Sequence, residues 1–254
     1  MFRFRETAGT DITMMRIAQV IAVIAMAIGL SACTSTRQVA DSGFKPPKGN
    51  YRLIVMQPDI SVGVLTAGGA FEHREDWTKQ SRDNVLKALR RQQAKRGGNT
   101  TIAETREAAG GDPQMVSDLY WLHTAIGRAI RTHKYSTLPL PTKKDKFDWT
   151  LGMDAVAYGA QTNYDYALFL HAQDSFASGG RVALQFASAL ACGFGACIMP
   201  TGGMQQAFVS LVDLKSGQIV WFNTLAATTG DIRTPEGASK MVSELLDEME
   251  PGST

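Results

Sequence analysis

Neither sign of charge dominates this chain. Its 254 residues hold 26 Lys and Arg against 24 Asp and Glu, a net charge of +2. Nucleic-acid binding through phosphate needs a clear basic excess, so no nucleic-acid partner is expected. Histidine and cysteine are scarce. The four histidines are His73, His123, His133 and His171, and the three cysteines are Cys33, Cys192 and Cys197. His123 and His133 are ten positions apart on one predicted helix, about 15 Å along its axis, too far to share a metal. Asp165 and Asp174 flank His171 with no nucleophile in evident register. Gly-x-Ser-x-Gly and His-Glu-x-x-His are both missing. The Gly-Gly pairs starting at 68, 97, 110, 179 and 202 lack a following Lys-Ser/Thr and read as turns. The sequence therefore predicts no metal, no cofactor and no catalytic residues. No repeat at 20–50 residues is visible. What remains is an ordinary globular composition, 44% apolar and 20% charged, with length for one large domain or two small ones.

The N-terminus carries an address. Met14 and Met15 precede Arg16, and Ile17–Gly29 is an apolar run broken only by Gln19. That length suits a signal-peptide core and is short for a membrane span. It ends in Leu30-Ser31-Ala32-Cys33, which resembles the bacterial lipobox cut by the lipoprotein signal peptidase. The resemblance implies a leader over 1–32 and a diacylglycerol thioether and N-acyl chain on Cys33. Acyl chains at about 0.8 kcal/mol per buried methylene give stable membrane attachment when two or more act together. Thr34 follows where Asp would mark inner-membrane retention in enteric-type sorting. The resemblance thus implies the periplasmic face of the outer membrane, the inner membrane being the other assignment.

Residues 33–50 read as lipidated Cys and flexible tether: polar, with Pro46-Pro47 and Gly49. Extended, the tether would reach roughly 55 Å; as a coil, roughly 23 Å. Cys192 and Cys197 sit in an oxidising compartment, which permits a disulfide. Five residues apart they cannot bridge along a regular helix, but Gly193 and Gly195 allow the chain to turn. A disulfide is the leading reading; two buried thiols or a metal site are the alternatives, and two thiols without a nearby His make a poor site.

From 51 to 250 the pattern predicts one α/β domain on a mixed sheet. Tyr51–Gln57 reads as a strand ended by Pro58, and Ile60–Leu65 as a second. Trp77–Arg96 is helical, Thr101–Ala109 a further helical turn or two. Asp112-Pro113 caps a helix bearing Met115, Leu119, Leu122 and Ile126 on one face. Trp149–Gln161 is a short helix and Tyr164–Phe176 a strand. Gln206–Leu214 and Gln218–Leu225 form a hairpin around Lys215-Ser216-Gly217, with Trp221 buried and Gly217 at positive φ. Thr234-Pro235 opens the last helix.

Two stretches carry a resemblance: Asn163-Tyr-Asp-Tyr-Ala-Leu-Phe-Leu170 and Val209-Ser-Leu-Val-Asp-Leu-Lys-Ser-Gly-Gln-Ile-Val-Trp221. Together with the lipobox they resemble a class of bacterial lipoproteins over roughly residues 51–250. The class includes the curli-secretion lipoprotein, the lipoprotein activators of penicillin-binding proteins and the N-terminal domain of the Tol translocation protein. The hairpin motif also resembles a quinoprotein propeller blade, but one copy cannot build a propeller. The resemblance implies a scaffold, channel subunit or activator with no catalytic residues to carry over, and homo-oligomers are within its range.

Two further features bear on function. Arg82, Lys87, Arg90, Arg91, Lys95 and Arg96 share one helix with a single acid, Asp83. They read as a solvated face, or as a contact for anionic headgroups or an acidic partner. Val182–Met199 is eighteen residues without a charge; it reads as a buried helix and a Gly-Cys loop, the alternative being a segment that meets the membrane or a neighbouring subunit. The functional expectation is a non-enzymatic lipoprotein acting by protein contact in envelope assembly or secretion. An enzyme acting on peptidoglycan or another envelope substrate, and a carrier of an apolar ligand, are the alternatives.

Overall fold

A computed structural model describes residues 34–40, 51–96, 99–135, 138–143, 146–192, 200–227, 230–246 and 249. The leader, Cys33 and its lipobox lie outside these residues, as do 41–50 and Cys197.

The centre is a mixed sheet built around one long strand, β6 (Tyr166–Ala177), numbered by its place in the chain order. On one side β6 pairs antiparallel with β7 (Gln205–Asp213), which forms a hairpin with β8 (Ile219–Ala227). On the other side two short strands lie end to end against it, both parallel: β2 (Leu53–Val55) and β3 (Asp59–Leu65). Pro58 separates them because it has no N–H to continue the ladder. β5 (Thr100–Ile102) extends the sheet beyond β2, and β4 (Phe71–His73) beyond β3. The helical turns expected over Thr101–Ala109 are corrected: Thr100-Thr101-Ile102 are all β-branched and pair with β2, leaving one 3₁₀ turn at Glu107–Ala109.

The reading of 33–50 as wholly tether is also corrected. Thr34–Ala40 forms a strand, β1, paired antiparallel along the outer edge of β8 from Thr34↔Ala227 to Ala40↔Trp221. The open edge of β8 offers unpaired backbone groups, and this stretch satisfies them.

Period-two alternation puts one set of side chains on each face of the sheet. Leu168, Leu170, Val209, Leu211 and Trp221 pack against α1 (Glu75–Arg96) and α5 (Pro235–Leu246). Ala167, Phe169, Phe208, Val212 and Phe222 pack against α2 (Pro113–Tyr135) and α3 (Gly152–Thr162). The predicted caps are made: the Asp112 carboxylate accepts from Met115 N–H at 2.9 Å, and Thr234 Oγ1 from Gly237 N–H at 3.1 Å. At the hairpin tip Gly217 has φ +72°, and Trp221 is buried, both as expected. No helix among the described residues is long and apolar enough to cross a membrane.

Candidate functional site

One helix does not belong to either layer. α4 (Gly179–Cys192) follows β6, and Arg181 is its one buried residue. The expectation of a buried helix over this uncharged stretch is therefore corrected. Phe186 is 70% exposed and Leu190 72%, with Val182 and Leu184 exposed as well. Gln185, Ser188, Ala191 and Cys192 are the half-buried positions. At 100° per residue, Val182, Phe186 and Leu190 line one outer stripe, and the polar side chains face inward. This is the reverse of a helix folded against its own core. The reason lies in what α4 lands on. Its inner side meets loop backbone, which wants hydrogen-bond donors. Arg181 Nε donates to the Thr201 carbonyl at 2.7 Å, its Nη atoms to Thr66 O, Ala67 O and Thr201 Oγ1, and Gln185 donates to Pro200 O at 3.1 Å. Polar anchors toward the protein leave the apolar stripe outward.

The sheet register says which end of the domain this is. Thr34 pairs with Ala227, Ala227 with Gln205, and Gln205 with Asp174. The start of β1, the start of β7 and the end of β6 thus share one end of the sheet, and α4 begins there. Thr66–Ala70, Ser175–Gly180, Val182–Cys192 and Pro200–Met204 carry no charge and Arg181 is buried, while β4 and the start of α1 bring the exposed Glu72, Arg74, Glu75 and Asp76 to the same end. The opposite end is ionic. Asp165 accepts from Arg52 N–H at 2.9 Å and pairs with Lys215 at 3.3 Å, and these contacts hold its carboxyl below the usual carboxylate range.

The basic residues of α1 are spread, not pooled. Arg82 is half-buried, with a buried Nε that finds no acceptor among the described residues. Arg90 is paired with Glu104. Lys87 and Arg91 are exposed, and Arg91 lines a shallow cleft with Glu236, Lys240 and the serines of α5. The side chains of Lys95 and Arg96 lie outside the described residues. α1 runs from Trp77, packed edge-on against Phe176, to Gln93, bonded to Thr100. Its basic C-terminal half therefore points toward the ionic end, away from α4.

Polar chemistry beneath α2 centres on two histidines. His171 Nδ1 is 2.8 Å from Asp59 Oδ2, which also accepts from Thr124 Oγ1 at 3.3 Å. These bonds and the charge of Arg106 hold the Asp59 carboxyl low in spite of its burial. His123 Nε2 is 3.0 Å from Ser210 Oγ, and both residues are sealed from solvent, at 1% and 0% exposure. Burial lowers the His123 imidazole to about 3, helped by neighbouring His171. His123 stacks on Phe169, and both histidines pack on Phe208. Among the described residues no carboxylate reaches the imidazole's other nitrogen, and Asp59 is engaged by His171. The serine–histidine pair is a hydrogen bond buried in the packed core. Asp59 and Ser210 were not legible as partners, because strand register across 112 and 87 residues brings them together. His133 is half-buried and donates to the Leu138 carbonyl at 2.7 Å, and exposed His73 lies 3.3 Å from Ser61 Oγ. Asp165 and Asp174 sit at opposite ends of β6, and neither engages His171.

Asp174 is a buried carboxyl near the end of β6. Desolvation raises its carboxyl to about 6, against Ile232 N–H and the Gln205 amide, which favour the charged form. It borders a cavity of about 140 Å³ with Phe176, Gly203, Gln205 and Gly230. No group of three or more metal-ligating side chains is found among the described residues. Cys192 closes α4; its expected partner Cys197 lies outside the described residues.

No protein-family model matches this chain, and no curated protein does. Among solved structures, the PelC dodecamer from Paraburkholderia phytofirmans is 12% identical at a TM-score of 0.36, covering 84% of this chain and 97% of that one. The LpoB C-terminal domain from Salmonella enterica is 14% identical at a TM-score of 0.26, covering 74% of this chain and 86% of that one. Similarity at this level assigns neither a family nor a function.

Proposed function

We propose that this chain is a lipid-anchored envelope protein, held on the periplasmic face of the outer membrane through Cys33. Its domain acts by macromolecular contact in envelope assembly or secretion, without turnover. The observation that carries this reading is the bare apolar stripe of α4, with Phe186 and Leu190 more than two-thirds exposed. A contiguous exposed apolar face is an interaction site or a liability, and here Arg181 and Gln185 hold it outward. The lipobox supplies the location, and β1 supports it, since the strand that follows Cys33 ties the domain to its anchor.

Two measurements test the reading. Radiolabelled palmitate should enter the wild-type chain, and Cys33→Ser should abolish labelling and leave unprocessed precursor. Normal cleavage of Cys33→Ser would overturn the anchor. In a deletion strain, Asp59→Asn, His123→Gln and His171→Gln should each complement, whereas Phe186→Asp with Leu190→Asp should not. A folded, correctly localised single variant of the polar cluster that abolishes the phenotype would favour the enzyme reading instead.

A further inference from the structure

We propose that α4 is a second membrane contact: its Val182–Phe186–Leu190 stripe enters the interface of the bilayer that holds the acyl chains of Cys33. The proposal rests on the lipid-anchor reading above and names the occupant of the apolar surface.

Three independent features converge on lipid. The first is position. Cys33 is one peptide bond from Thr34, about 3.8 Å between Cα atoms. Thr34 stands at the α4 end of the sheet, three strands from β6 through Ala227 and Gln205. At about 4.8 Å per strand, Thr34 stands roughly 15 Å from Asp174, near the end of β6. With β1 docked, no slack tether lies between lipid and domain, so this end is held at the membrane surface. The second is charge. α4 itself bears one charge, Arg181, and turns it inward onto four oxygens; the exposed charges at this end, Glu72, Arg74, Glu75 and Asp76, stand off the helix on β4 and the start of α1. A surface that meets water normally mixes charges; one that meets hydrocarbon excludes them. The third is the inverted helix, with polar residues toward the protein and Phe and Leu away from it. An interfacial helix buries such a face about 5–10 Å deep, at the headgroup–acyl boundary.

The placement also orients the domain. β6 spans about 36 Å from Tyr166 to Ala177 at ~3.3 Å per residue. With α4 on the membrane, the Arg52–Asp165–Lys215 end and the basic half of α1 face the periplasm. They lie more than a Debye length, about 8 Å, from the headgroups. The basic residues of α1 are then available to a periplasmic partner, not to lipid.

The test uses the acylated full-length chain, reconstituted into vesicles of phosphatidylethanolamine and phosphatidylglycerol with and without bromine on the acyl chains. Phe186→Trp and Leu190→Trp are compared with Met153→Trp, an exposed position at the far end beside the hairpin tip. Bromolipid should quench the tryptophan at 186 and at 190 and shift its emission to the blue, and leave the one at 153 unchanged. Equal quenching at 186, 190 and 153 in vesicles that carry the protein overturns the proposal. So does a photoreactive residue at 186 that crosslinks to a second copy of the chain and not to lipid. A chain that does not float with the vesicles at all would instead overturn the anchor reading, which keeps the two failures apart.

Discussion

Asp174→Asn should stabilise the domain near neutral pH and not in acid. The carboxyl is 2% exposed near the end of β6 where α4 begins. Burial raises it from 3.8 to about 6, with the Asp231 charge adding to the shift. A raised value means the folded chain holds the proton more tightly than the unfolded chain. The group's contribution is complete below about 3.8 and is lost as pH rises through about 6. At about 1.4 kcal/mol per unit, the charged group costs the fold about 3 kcal/mol at pH 7.5. Asparagine keeps the size and an oxygen for Ile232 N–H, and carries no charge. Gln205 Nε2, 3.5 Å away, and Ile232 N–H both reach the same carboxylate oxygen, Oδ2, so the amide oxygen takes that place and the new NH2, standing where Oδ1 was, must adjust to its surroundings. Allowing about 1 kcal/mol for that adjustment leaves a gain of about 2 kcal/mol at pH 7.5. Urea unfolding followed by tryptophan fluorescence at several pH values between 4 and 7.5 measures it. The difference between variant and parent should climb from zero or slightly negative at pH 4. His123 cancels in that difference because both proteins carry it. A gain that is the same at every pH would refute the reasoning, since charge would then not be what Asp174 costs.

In the Asp174→Asn background, stability should fall by about 1.4 kcal/mol per pH unit between pH 6 and 4. There the unfolded chain protonates at His123 below about 6.5, while the folded one refuses the proton until about 3; a flat profile in the same urea titration would count against a buried neutral imidazole. Gly127→Ala should lower stability by 1–3 kcal/mol or more, because the new Cβ would lie 2.1 Å from Phe208 Cε2 in a packed ring stack. Alanine's helix propensity returns only about 1 kcal/mol, so thermal unfolding should show a net loss. Gly217→Val should cost on the order of 1–2 kcal/mol in left-handed backbone strain alone. Its Cβ would also meet the Gly152 carbonyl at 2.4 Å, and an unchanged melting temperature would mean the turn is built differently.

Local patterning made much of the domain legible. Asp112-Pro113 and Thr234-Pro235 specify helix starts through their own side chains. The Lys215-Ser-Gly217 turn specifies a hairpin, because only glycine takes φ +72° cheaply there. Alternation placed Trp221 in the core, and the α/β class followed from the order of elements. The lipobox is a linear signal and depends on no fold at all. Tertiary structure decided whatever depends on what a segment lands against. The uncharged 182–199 stretch has one composition whether it is buried or bare, and only the loop backbone beneath Arg181 and Gln185 turns Phe186 and Leu190 outward. Thr34–Ala40 reads as a polar tether until the unpaired edge of β8 is present to accept it. The Asp59–His171 pair joins residues brought together by parallel strand register, which no local pattern encodes. Helix caps and turns are short-range and are written in neighbouring residues. Edges, faces and ends of a sheet exist only once the whole chain has folded.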